Sequence, residues 1–315
     1  MSEPKLEKQN SGGTARGYFS DRAVVVTGAS SGIGYDIAMA FARQGAEVGL
    51  IARRKQNLEE LAERITAAGG HPLVLQCDVT RRAEVRSAID EAVRTFGQID
   101  ILVNSAGLLI PDTLDEMRPE DLERMMAVNL YGTVHAIQAV LPEMKSNRSG
   151  RIINVASLAG RRGISPLGGY SASKFALVGL TEALRVELFG SGIWVSLVMP
   201  GVIDTPMAHD ARSNKMLRAM PAIAAMPVRW VTWAVLAAAV FGLPEVDVPP
   251  GSAVVEKLAA LFPTATDLFL SVGTRIVSAL SSRLAADEEP QQPPAREKLV
   301  RAARKAEPSA KTASN

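Results

Sequence analysis

The chain has 315 residues, 47% hydrophobic and 22% charged, and 35 basic against 33 acidic side chains leave a formal charge of +2 at pH 7. That length supports a sizeable core, and the composition excludes a disordered, collagen-like or disulfide-dense protein. The near-balanced charge and 5% aromatic content give no footing for nucleic-acid binding. One cysteine, Cys77, and three scattered histidines leave no disulfide and no metal-ligand spacing, so a reducing, cytoplasmic setting without a metal site is expected.

Residues 1–20 are polar, include several Gly and Ser and lack the apolar stretch of a signal peptide, so a flexible extension is expected there. Ala23 to Thr27 (AVVVT) is the first strand candidate. It runs into Gly28-Ala29-Ser30-Ser31-Gly32-Ile33-Gly34 and then a helix through Gln44. Glycines at a strand-to-helix junction allow a tight turn and close approach of a ligand to the backbone. The helix behind them offers unpaired N–H groups to a phosphate. The spacing is G-x-x-x-G-x-G rather than G-x-G-x-x-G, so the turn alone is a weak signal and its placement is the stronger one.

The second strand, Glu47 to Ile51, is followed by Arg53 and Arg54. An acidic residue at this distance from the turn would bind the ribose hydroxyls of NAD, whereas arginine suits the 2′-phosphate of NADP. The competing reading is two solvated arginines opening the next helix. The phosphate role is preferred, with Arg53 ahead of Arg54. A helix carrying Leu58, Leu61 and Ile65 follows, then a strand over Pro72 to Gln76. Asp78, just after it, either accepts from an adenine amino group or caps the next helix, which carries Val85, Ile89 and Val93.

Further strands are expected at Ile101 to Val103, Arg151 to Val155 and Ile193 to Val198. Such apolar runs suit strands covered on both faces, and their alternation with helices predicts an α/β fold with a doubly wound parallel sheet. Ligands then bind beyond the carboxyl ends of the strands. Ser157 closes one strand, and thirteen residues later Tyr170 opens a helix with Lys174 four positions on, sharing its face. A phenol titrates near ~10, and a neighbouring ammonium lowers that value toward a usable acid/base. Ser157 can hydrogen-bond a substrate oxygen as charge develops. Taken alone, an ordinary amphipathic helix with Tyr and Lys at its wet end is the better explanation of the pair.

Val202 to Met226 contains Met207, Met216, Met220, Met226, Leu217 and Ile223, and Leu108, Leu109 and Ile110 are a further apolar run. Methionine adapts to irregular apolar shapes, which suits a lipophilic ligand and equally a mobile helix packed on a core. Trp230 to Leu243 is apolar all round but too short to span a bilayer, so a buried helix is expected, followed by a short strand at Glu245 to Val248. Residues 252–285 suggest two amphipathic helices broken at Pro263. They could cover the substrate mouth, form a dimer contact or lie peripherally on a membrane. Residues 286–315 are expected to be a disordered, solvated tail in which Arg296, Lys298, Arg301, Arg304, Lys305 and Lys311 outnumber Glu297 and Glu307.

Together these residues resemble the short-chain dehydrogenase/reductases. Thr27 to Gly34 is similar to that family's TGxxxGxG turn, Asn104-Ser105-Ala106-Gly107 to its NNAG segment, and Ser157, Tyr170 and Lys174 to its S…YxxxK set. Asn129 is similar to the asparagine of its fourth helix, and Pro200-Gly201 with Thr205 to its PG-x-x-x-T segment. The resemblance covers about residues 21–245. It implies a Rossmann-type catalytic domain, assigned to 21–251, and hydride transfer between the nicotinamide C4 and a carbonyl or alcohol carbon. Tyr170 would move the proton, Lys174 would lower its pKa and bind the nicotinamide ribose, and Ser157 would orient the oxygen. Asn129 would hold a water relaying protons. The same resemblance makes Val202 to Met226 a lid over the substrate and Leu108, Leu109 and Ile110 apolar wall. The implied cofactor contacts are Gly28, Ser30, Ser31, Gly32, Ile33, Gly34, Arg53, Arg54, Asp78, Val79, Asn104, Ala106, Gly107, Tyr170, Lys174, Pro200, Gly201, Val202 and Thr205, with NADP(H) preferred over NAD(H). Ser105 departs from the second Asn of NNAG, a position that stabilises the central sheet. The expected assembly is a homodimer or homotetramer acting on a small carbonyl or alcohol. A catalytically silent cofactor-binding protein is the rival reading, and the intact Ser-Tyr-Lys set argues against it.

Overall fold

The computed structural model describes residues 17–212, 217, 225–268 and 271–272. The expected extension over residues 1–16, the tail over 286–315 and most of the second appendage helix lie outside the described residues, as do Met216, Met220 and Ile223 of the lid.

Seven strands form one sheet: β1 (Ala23–Thr27), β2 (Glu47–Ala52), β3 (His71–Gln76), β4 (Ile101–Asn104), β5 (Gly150–Val155), β6 (Ile193–Pro200) and β7 (Glu245–Val248). Their order is β3-β2-β1-β4-β5-β6-β7 and every neighbouring pair is parallel. Chain direction across the sheet reverses between β1 and β4, which opens a crevice at their carboxyl ends. Thr27 pairs with Asn104 there, so the two strands end level.

The expected strands all form, with small differences at their ends. β3 starts one residue earlier than expected, and Pro72 is accommodated because β3 is an edge strand. The continuous apolar runs have their cause in two covered faces: Val24, Val25 and Val26 are all fully buried. On one face lie α1 (Gly32–Arg43) and α2 (Lys55–Ala67), with Ile37, Phe41, Leu58, Leu61 and Ile65 in the core. On the other, α3 (Arg82–Phe96), α5 (Gly132–Asn147) and α6 (Gly168–Glu187) contribute Val85, Ile89, Val140 and Leu184. Between α3 and α5, α4 (Pro119–Met126) leads through a π-helical segment, Ala127–Tyr131, into α5.

Two expectations are corrected. Residues 17–20, assigned to the extension, belong to the folded unit: Phe19 is buried and meets the Phe41 ring edge-on at 4.8 Å. The apolar helix, α8 (Val228–Phe241), follows the short α7 (Pro206–Ala211) but is buried on one side only. Val231, Val235 and Ala238 face the core, whereas Trp230, Trp233 and Phe241 remain exposed. Gly242, in a left-handed conformation at φ 63°, ends it. The last described full helix is α9 (Ser252–Leu261).

Candidate active site

The glycine turn sits at the crevice. Thr27 Oγ1 accepts hydrogen bonds from the backbone N–H groups of Ser105 (3.1 Å) and Ala106 (3.2 Å), tying the ends of β1 and β4 together. This close approach demands Gly28: its φ is +74°, and a Cβ there would lie 2.8 Å from Ala106 Cα. A Cβ on Gly34 would come within 2.5 Å of the Gly28 carbonyl oxygen. Ser31 precedes α1 without a side-chain cap, so the first-turn N–H groups are left for an anion. Arg54 lies along the turn, donating to Ser30 Oγ (2.9 Å) and Ser31 Oγ (2.7 Å).

A cleft of about 200 Å³, open to solvent, runs from this turn past Arg53, Arg54 and Val79 to Ala106, Gly107 and Thr205. Ser30, Ser31, Gly32 and Ile33 also line it. Sequence reasoning missed Cys77, Ser105 and Val128 as lining residues. Ser105 Oγ is buried and has no hydrogen-bond partner among the described residues. A glycine cradle that any Cβ would fill, an uncapped helix N-terminus, two arginines and this orphaned hydroxyl together fit a dinucleotide phosphate cofactor.

Several expected cofactor residues also make contacts of their own within the fold. The Asn104 side chain turns into the sheet and donates to Asn154 Oδ1 (2.9 Å), while Asn154 donates to Thr181 Oγ1 (3.0 Å). Asp78 accepts from the Thr80 N–H (3.0 Å) and hydroxyl (2.8 Å), organising the turn before α3; the residue that precedes the helix is Arg81. Burial pushes the Asp78 carboxyl up, but the Thr80 hydrogen bonds and the Arg53 and Arg81 charges outweigh it and hold the group below its ordinary value. Gly201 is fastened to β7 through its N–H on the Val248 carbonyl (2.8 Å), just after Pro200 ends β6. The Val202 carbonyl accepts from the Met226 N–H (2.9 Å), closing the base of the lid. Thr205 caps α7 by accepting from the Ala208 N–H (3.2 Å).

Ser157, Tyr170 and Lys174 converge. The 3₁₀ turn after Ser157 packs so closely on α6 that a Cβ on Gly160 would lie 2.9 Å from the Lys174 carbonyl oxygen. Ser157 Oγ accepts from the Ala159 N–H (3.1 Å) and stands close enough to the Tyr170 hydroxyl to favour its ionised form. Lys174 donates from Nζ to the Val155 carbonyl (3.0 Å), and that Nζ stands 5.8 Å from the centre of the Tyr170 ring. Burial pushes the Tyr170 hydroxyl up to about 12, against the Ser157 hydrogen bond, and pushes Lys174 down to about 8. Desolvation therefore sets the direction of the phenol's shift, opposite to the lowering expected from a neighbouring ammonium.

Asn129, fully buried in the π-helical segment, accepts from the Leu108 N–H (2.7 Å). It donates to the Leu108 carbonyl (2.9 Å) and to Ser173 Oγ (2.8 Å). Its amide thus ties the loop after β4 to the helix bearing Tyr170. Ser173 was missed from the sequence; its only signal was its place beside Lys174. Leu108, Leu109, Ile110, Met117 and Leu167 pack around Tyr170, Met125 and Ala159, so the expected apolar wall forms beside the phenol.

Residues 22–216, more than half of the chain, match the family described as short chain dehydrogenase. An uncharacterised oxidoreductase of Staphylococcus saprophyticus is 43% identical over 193 residues, covering 60% of this chain and 82% of the relative. A ketoacyl reductase of Nostoc is 35% identical over 192 residues, covering 61% and 67%. Among solved structures, a short chain dehydrogenase/reductase from Burkholderia phymatum in complex with NAD superposes with a TM-score of 0.72 at 25% identity, over 77% of this chain and 94% of that one. An actinorhodin polyketide ketoreductase with NADPH gives 0.67 at 29%, over 72% and 95%. The chain belongs to the short-chain dehydrogenase family and is an NAD(P)-dependent oxidoreductase.

Proposed function

We propose that the protein is an NADP(H)-dependent carbonyl reductase acting on lipophilic ketones or aldehydes, with Tyr170 as the proton donor. The observation that carries this reading is the buried Tyr170, beside Ser157 and in an apolar cluster against which Leu108, Leu109 and Ile110 pack. A phenol pushed up to about 12 keeps its proton at neutral pH, which suits an acid and hence the reductive direction. When bound, the nicotinamide cofactor supplies the hydride.

Ser157 Oγ, which keeps its own proton while accepting from Ala159, donates to the substrate carbonyl oxygen and orients it. Tyr170 Oη then gives its proton to that oxygen, yielding the alcohol. Lys174 Nζ, held by the Val155 carbonyl, binds the ribose and returns a proton toward Tyr170. Asn129 fixes the geometry of this relay, through Leu108 and Ser173, and a water held beside it completes the path to solvent.

The preference for NADP(H) rests on Arg53 and Arg54 at the cleft, with Arg54 the guanidinium laid on the turn. Names of relatives agree in kind: one is a ketoacyl reductase and another a polyketide ketoreductase. Assembly as a homodimer or homotetramer is supported by Phe175 and Val186 on α6 and Phe189 just beyond it, all exposed.

The test is reduction of a series of methyl ketones of increasing chain length with NADPH and with NADH, followed at the nicotinamide absorbance. The reading expects kcat/KM to rise with chain length and to favour NADPH. Preference for NADH, or for short polar substrates, would contradict it.

A further inference from the structure

Helix α9 carries its hydrophobic residues on the side opposite to that of a helix packed on a core. Its partly buried positions are Ser252, Ala253, Glu256 and Ala259, which are small or polar. Val254, Val255, Leu258, Leu261 and the following Phe262 are 55–70% exposed, and Leu268, one helical turn beyond Pro263, is similarly open. No residue of the helix is fully buried.

Polar contacts hold this segment to the body. Asp247 Oδ2 accepts from the Ala253 N–H (2.8 Å), Arg161 pairs with Glu256 (3.9 Å) and with Glu245, and Arg162 pairs with Asp267. Glu256 and Asp267 are the only acids between residues 252 and 268, and Lys257 is the only base. Both acids are thus engaged by arginines of the loop that follows Ser157, while Lys257 stands exposed among the valines and leucines.

We infer that α9 docks the protein on the surface of a bilayer containing anionic phospholipid, with Val254, Val255, Leu258, Leu261 and Phe262 entering the interface and Lys257 at the headgroups. A helix lying in the membrane plane needs this combination of an apolar face and a flanking cation. Carboxylates there would be repelled, and both are drawn away to Arg161 and Arg162. No helix among the described residues is long and apolar enough to cross a membrane, so the contact is peripheral. Residues 286–315 carry six basic side chains against five acidic ones, and all six bases fall after the acidic Asp287-Glu288-Glu289, in a stretch, 296–311, whose charge favours the same surface. Arg161 and Arg162 lie just beyond Ser157, so docking through α9 brings the substrate side of the cleft near the lipid. The inference stands independently of the catalytic reading, because binding is measured without substrate.

The test is co-sedimentation of the full chain with vesicles of equal parts phosphatidylcholine and phosphatidylglycerol, and with phosphatidylcholine alone. The expected result is binding to the anionic vesicles that falls about tenfold or more in Leu258→Ser/Phe262→Ser and weakens in Lys257→Glu. Ketone reduction in the absence of vesicles should be unchanged in both variants, which establishes that they fold. Absence of wild-type binding would overturn the inference. So would equal binding by the double variant, which would assign the attraction to the basic tail. If the double variant breaks an oligomer in sedimentation velocity while vesicle binding is unaltered, the face is a contact between copies of the chain and the inference fails. Should the double variant lose its fold, retention of full vesicle binding by Lys257→Glu with Val255→Ser would still overturn it.

Discussion

Lys174 lies one helical turn beyond Tyr170, with its Nζ 5.8 Å from the centre of the phenol ring and bonded to the Val155 carbonyl. Burial alone brings this ammonium down to about 8. If Lys174 returns protons to Tyr170, the reductase rate should fall as pH rises through about 8, where the ammonium is lost. In Lys174→Arg the guanidinium stays charged. The pH profile of kcat in that variant should therefore lack the limb near 8, even at reduced overall activity.

Arg54 rather than Arg53 makes the contacts with Ser30 and Ser31. Charge-assisted hydrogen bonds to a phosphate of this kind are worth ~1.5–3 kcal/mol, so Arg54→Ala should raise the KM for NADPH by about tenfold to a hundredfold. The KM for NADH should stay nearly constant. Arg53→Ala should have the smaller effect on NADPH, and steady-state kinetics with both cofactors decide the ranking.

The close approach of Gly34 to the Gly28 carbonyl leaves no room for a methyl group. Gly34→Ala must displace the turn or the start of α1, at a cost of ~1–3 kcal/mol. The expected outcome is a lower melting temperature together with weaker NADPH binding, read by thermal denaturation and by nicotinamide fluorescence titration.

Glu256 is pushed up to about 7, first by burial and then by the charges of Asp247 and Glu245, with Arg161 pulling the other way. Its ordinary value is 4.5. Between 4.5 and about 7 the folded protein therefore holds a proton that the unfolded chain has released. The attachment of α9 is firmest below that window and weakens as pH rises through about 7. Limited trypsin cleavage after Lys257, measured relative to trypsin's rate on a short peptide substrate at the same pH, should accelerate across that interval in the wild type, and Glu256→Gln should show a flat ratio.

Much of this architecture was legible because it depends on local patterns. Strands covered on both faces must be continuously apolar, which made β1 and β6 plain, and the glycine turn is dictated by backbone approach at Gly28 and Gly34. The site residues that remained hidden act through long-range contacts. The Asn104 side chain finds its partner only when β5 brings Asn154 beside it, and Ser173 gains meaning only when Asn129 is folded against it. The choice between Arg53 and Arg54 is set by how the chain leaves β2, which side-chain type alone does not determine. Burial of Tyr170 by Leu108, Leu109 and Ile110 likewise depends on the loop after β4, and it reverses the expected direction of the phenol's shift. For α8, an all-round apolar composition indicated full burial, yet only the side bearing Val231 and Val235 meets the sheet. Such a sequence does not encode which flank a neighbour will cover.

The most direct measurement of the central claim is the turnover of Tyr170→Phe against its affinity for NADPH. The substitution removes a single hydroxyl from a buried ring and leaves the glycine turn, Arg54 and Thr205 in place. Ketone reduction should fall by about a thousandfold or more, in line with loss of a positioned proton donor, while NADPH binding by fluorescence titration stays within about twofold. Reduction at the wild-type rate by a variant that still binds NADPH would contradict the account.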